Sequence, residues 1–98
     1  MYIKIHKSYR NVVALCDASL IGKKFEEGKR QLDLRENFYR DKKVTEKEAI
    51  KLLQQQANDD ATFNIVGKKS IQVAVGAGLI TKDSVQKIQN IPFALILI

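Results

Sequence analysis

Behind Pro92 the chain runs Phe93, Ala94, Leu95, Ile96, Leu97, Ile98 without one polar side chain. Extended residues point alternately to the two faces of a sheet, so a strand of this composition demands apolar cover on both faces. That demand constrains the fold more than any other feature: it predicts a C-terminal strand in the core, a sheet around it, and layers above and below. Counted from Ile91, the apolar stretch is eight residues, far below the ~20 needed to cross a bilayer.

The whole span, residues 1–98, predicts a single α+β domain. A chain of 98 residues with 45% hydrophobic content can bury roughly 60–70% of its unfolded surface without disulfide or metal staples. It has one cysteine, Cys16, and one histidine, His6, so neither an internal disulfide nor a clustered zinc site is expected. The opening residues alternate apolar and polar instead of forming a basic end followed by a hydrophobic block, which predicts a cytoplasmic chain without a signal peptide.

Tyr2 to Lys7 alternates with period two and Val12 to Cys16 is an apolar, β-branched run, with Ser8 to Asn11 between them. This predicts an N-terminal β-hairpin in which His6 faces Val13 and Cys16 faces Ile3. Asp17 is placed to cap a short turn over Ala18 to Ile21 that Gly22 ends, and Leu32 and Leu34 mark a third strand within Lys29 to Arg35. Thr45 and Glu48 form a capping box, and Ala49, Ile50, Leu53 and Ala57 share one face of the helix that follows, which ends near Asn58. Phe63 to Val66 reads as a strand. Lys69 to Ala77 reads as a second helix, although Ile71, Val73 and Val75 also fit a strand. Gly78 stops it, Thr81 or Asp83 opens a short helix carrying Val85 and Ile88, and Pro92 ends that helix. The expectation is a mixed sheet with two to three helices.

Seventeen basic against eleven acidic residues give a net charge of +6, which in so small a domain favours an anionic partner unless the lysines serve solubility alone. Only residues 44–60 are acidic, with two positive and four negative charges. Two basic features stand out. Gly67, Lys68, Lys69 and Ser70 lie between a strand and a helix, the setting in which backbone donors bind phosphate. The Walker pattern fails because Thr62 stands where its first glycine belongs, so the segment is either an anion site or an ordinary helix start with solvated lysines. Arg35, Tyr39, Arg40, Lys42 and Lys43, together with Phe38, interleave aromatics with cations as RNA-binding surfaces do. The competing reading puts Phe38 and Tyr39 in the core.

No catalytic constellation is visible. Cys16 reads as a buried cysteine, because His6 is too far along the hairpin ladder to serve as its base, and Glu26 and Glu27 sit among lysines as a solvated turn. No cofactor motif and no metal site is expected.

The blocks MYIKIHK, VVALCDASLIGKKFEEG, ENFYRD, NIVGKKS and IQNIPFALILI occur in an order that resembles the archaeal domain-of-unknown-function family number 424, over nearly the whole chain. The resemblance implies a small archaeal cytoplasmic protein of α+β fold and carries over no catalytic residues. It departs from the family pattern at Arg40, where members tend to have glycine, and at Phe93, where they tend to be polar. The leading expectation is a non-enzymatic module that binds RNA or a ribonucleoprotein, with a translation-related setting as the first guess. An interaction subunit for an acidic protein partner is the alternative, and a small-molecule or nucleotide-handling enzyme comes third.

Overall fold

The computed structural model describes residues 1–97. Its N-terminal hairpin consists of β1 (Tyr2–His6) and β2 (Val12–Cys16). A single helical turn over Ala18–Leu20 leads to a second hairpin, β3 (Lys24–Glu27) and β4 (Arg30–Asp33), and then to α1 (Glu36–Tyr39) and the two-residue β5 (Lys42–Lys43). Next come α2 (Glu46–Asn58), β6 (Thr62–Val66) and α3 (Lys68–Gly76), then a helical turn over Lys82–Ser84, β7 (Gln86–Ile88) and β8 (Ile91–Ile96).

Six strands make one mixed sheet in the order β5-β1-β2-β6-β8-β7, while β3 and β4 form a separate two-stranded sheet. Among the described residues only β2 and β6 pair in parallel. One face carries Ile3, Val13, Leu15, Phe63, Ile65 and Ala94 against α2 and α3, which supply Ala49, Leu53, Ile71 and Ala74. The other carries Ala14, Cys16, Val66 and Phe93 against Leu34 and Tyr39, with Phe25 and Leu32 of the small hairpin at its margin. Val13 to Cys16 are all buried because β2 lies inside the sheet between these two layers, which is why its sequence does not alternate. No helix among the described residues is long and apolar enough to cross a membrane.

The structure matches the expected α+β class and the α2 boundaries, including both hydrogen bonds of the Thr45–Glu48 capping box. Glu26 and Glu27, expected in a solvated turn, are exposed residues of strand β3. Four further expectations need correction. The N-terminal hairpin is shifted by one residue: His6 pairs with Val12 and Cys16 with Tyr2, because the connecting loop has five residues, 7–11. Asp17 makes no side-chain bond to the turn over Ala18–Leu20.

The helix expected around Val85 and Ile88 is strand β7, joined to β8 by Gln89 and Asn90, both with positive φ (49° and 64°). Such a two-residue reversal suits the twist of the strands it joins. Pro92 therefore lies inside a strand. Its missing N–H falls opposite Gly67, whose carbonyl already accepts the Ile71 N–H that begins α3, while Gly67 N–H donates to Pro92 O at 2.8 Å. The proline sits where the facing carbonyl already serves α3, so no ladder bond is broken by its missing N–H.

The fourth correction concerns the closing run. Pro92, Phe93 and Ala94 are buried, but Leu95 and Leu97 are 59% and 82% exposed. β7 pairs with β8 only over Ile91–Phe93, so from Ala94 onward β8 is the edge of the sheet. Ile98 lies outside the described residues.

Candidate functional site

One register row crosses all six strands of the large sheet: Lys43 beside Tyr2, Tyr2 beside Cys16, Cys16 beside Val66, Val66 beside Phe93, and Phe93 beside Gln86. Five interstrand steps make it about 24 Å wide. Exposed cations collect along this end of the sheet. Lys43 stands at one extreme, and the Arg40 guanidinium lies over the Tyr2 ring, 5.4 Å from its centroid. Lys68 and Lys69 follow directly on Val66 and Gly67 in the middle. At the far extreme Arg30 lies 5.6 Å over the Phe93 ring, and its Nη2 donates to Gln86 Oε1 at 2.9 Å.

The middle of the row is organised by Asp17, at the C-terminal end of β2 beside the start of α3. Its Oδ2 accepts the Lys69 N–H (3.1 Å), and its Oδ1 accepts both the Ser70 N–H (2.8 Å) and the buried Ser70 hydroxyl (2.7 Å). A carboxylate at a helix N-terminus satisfies orphan donors and faces the positive end of the helix dipole. Gly67 makes the approach feasible, with φ at 109° and Asp17 occupying the volume a side chain would need. A small cavity of about 140 Å³ opens alongside, lined by Asp17, Ser19, Leu20, Lys68, Ile91 and Pro92.

The backbone donors of Lys69 and Ser70 expected to bind phosphate are thus filled by a side chain of the same protein. What Gly67 to Ser70 offers an outside anion is the exposed Lys68 and Lys69 side chains, and neither takes part in an ion pair among the described residues.

The second basic segment divides. Tyr39 is 7% exposed and belongs to the core, so its ring offers no face to a base. Phe38 is half-buried, stacked on His6 with ring centroids 4.4 Å apart and in edge contact with Tyr39 at 4.9 Å. His6 Nε2–H donates to Phe38 O at 2.8 Å and Lys4 Nζ to Asn37 O at 2.6 Å, so two β1 side chains tie down the last carbonyls of α1. Arg35 pairs with Asp33 at 2.9 Å, and Arg40 with Glu36 at 2.6 Å. Lys42 pairs with Ile3 and lies on the α2 side of the sheet, near Leu52, while Lys43 joins the row.

Cys16 is fully buried, and burial with Asp17 beside it pushes the thiol up from 9.0 to about 12. His6 is engaged by Phe38 at the other end of β1. Among the described residues no three His, Cys, Asp or Glu side chains gather as metal ligands.

Two members of this end of the molecule hold positions not expected from the sequence, which does not single out Arg30 and which predicts Asp17 as the cap of the turn that follows it. Arg30 reaches the row only because the small hairpin folds over β7 and β8, and Asp17 caps a helix 52 residues away. Neither placement has a local sequence signature.

A six-stranded mixed sheet with two helices on one face, and a short helix plus a hairpin on the other, defines a small α+β protein with a cationic sheet end. The chain belongs to the family described as protein of unknown function (DUF424), whose family model matches residues 6–98. It is similar to a solved structure, the crystal structure of an uncharacterized conserved protein from Methanopyrus kandleri, with 26% sequence identity and a TM-score of 0.87. That match covers 97% of this chain and 88% of the other. Comparison with curated proteins finds no match.

Proposed function

We propose that the protein is a small cytoplasmic, non-enzymatic module that binds RNA or a ribonucleoprotein through the cationic end of its sheet. The observation that carries this reading is the row from Lys43 to Gln86. It draws cations from three separate segments, Arg30, Arg40 with Lys43, and Lys68 with Lys69, to one end of the fold. Phosphate neutralisation by such residues provides affinity without base-specific contacts. The +6 net charge supports the same reading by drawing polyanions to the whole molecule.

The test is the salt dependence of RNA binding. Lys68→Gln with Lys69→Gln weakens binding across sequences and flattens the log-log salt slope by roughly 0.7 per lost contact on single strands. Absence of binding by the wild-type chain at physiological salt, or an unchanged affinity and slope in the double variant, overturns the proposal. An acidic protein surface would then be the partner chemistry that this row fits.

A further inference from the structure

Resting on that reading, we infer that the RNA recognised is double-stranded, held by its phosphates and shape and not by stacked bases. Single-stranded RNA is gripped by aromatic faces on which bases stack, each base worth roughly 1–3 kcal/mol. The chain has seven aromatic residues, four Phe and three Tyr, and the fold commits nearly all of them elsewhere. Phe63, Tyr39 and Phe93 are buried, and Phe25 packs partly buried against the second core cluster. Phe38 is held between His6 and Tyr39, and Arg40 covers Tyr2.

Among the described residues the one fully exposed ring is Tyr9, in the β1–β2 loop at the opposite end of the sheet, beyond a strand end that lies roughly 13 Å from the cationic row. The cationic end therefore presents charge without an aromatic platform. Its cations also spread across about 24 Å of sheet width instead of following one narrow groove. A broad, rigid row of this kind suits phosphates on both sides of the wide, shallow minor groove of an A-form duplex.

The test compares the full-length chain on a mixed-sequence RNA duplex of about 20 base pairs and on oligouridine of about 40 nucleotides, matched in phosphates, at equal ionic strength. The duplex is expected to bind at least about tenfold more tightly. Arg30→Gln and Lys43→Gln, at opposite ends of the row, are each expected to weaken duplex binding several-fold, and Tyr9→Ser, which removes the exposed ring outside the row, to leave oligouridine binding unchanged. Oligouridine bound as tightly as the duplex, loss of oligouridine affinity in a folded Tyr9→Ser, or insensitivity of the duplex to either end of the row overturns the inference and leaves the RNA reading standing. Failure to bind either RNA overturns the RNA reading itself.

Discussion

The carboxylate oxygens of Asp17 lie 2.6 Å from the point where a β-carbon on Gly67 would stand. One residue must be small, with a positive φ, so that the other can hold the start of α3 and bond the buried Ser70 hydroxyl. Asp17→Ala removes a cap worth about 1–2 kcal/mol and leaves that hydroxyl without its partner, for a total loss of about 3 kcal/mol. Gly67→Ala combines backbone strain of about 1–2 kcal/mol with displacement of the same carboxylate. The two losses overlap, so the double variant is expected to lie about 2 kcal/mol above their sum in stability. Urea unfolding of the four proteins measures this coupling, and strict additivity would contradict the geometry.

Tyr39→Ala is expected to act on stability. Emptying a buried aromatic site beside Leu34, Cys16 and Phe38 costs about 3–5 kcal/mol. RNA affinity measured on the folded fraction should not change. A variant that keeps its melting temperature and loses RNA affinity would place the ring at the interface after all.

Leu95, in the outer half of β8, and Leu97, just beyond the strand, tolerate change that the inner half of β8 does not. Leu95→Ser and Leu97→Ser alter exposed side chains and are each expected to shift stability by no more than about 0.5–1 kcal/mol. Phe93→Ala empties a site beneath the Arg30 guanidinium and is expected to cost about 3–5 kcal/mol. Denaturant midpoints for the three variants check the contrast.

Alkaline pH should destabilise the fold through Cys16 and Tyr39. Burial, the first cause in each case, raises both groups to about 12, from ordinary values of 9.0 and 10.0. Each is neutral in the fold and ionises sooner once unfolded. The stability they provide is therefore complete below pH 9 and is lost progressively as pH rises towards 12. Cys16→Ala should flatten the onset of that decline, and the native thiol should react slowly with thiol reagents at neutral pH. Rapid stoichiometric labelling of the folded protein would refute this.

Elements whose bonds close within a few residues were legible. The capping box of α2 spans Thr45 to Glu48, so its start could be read from four adjacent letters. The period of Tyr2 to His6 marked β1, but pairing register depends on loop geometry, and one extra loop residue moved every partner. Strand β7 was missed because Gln89 is an unusual residue for a positive φ. Its backbone N–H donates to Glu27 Oε1 at 3.1 Å and its side chain to Glu26 O at 2.6 Å, so bonds to a hairpin more than 60 residues earlier hold the turn.

The candidate site divides along the same line. Sequence by itself determined the charge, the lysines after Gly67, the cations around Tyr39 and the need for a sheet with two covered faces. Which rings remained available, which amides were already filled and which cations stood in one row were settled by the parallel pairing of β2 with β6 and by the small hairpin folding over β7. The physical reason is range: caps and periodicity arise from neighbours in the chain, whereas burial of Tyr39, the approach of Asp17 to Gly67 and the alignment of Lys43 with Arg30 exist only once distant segments share a sheet.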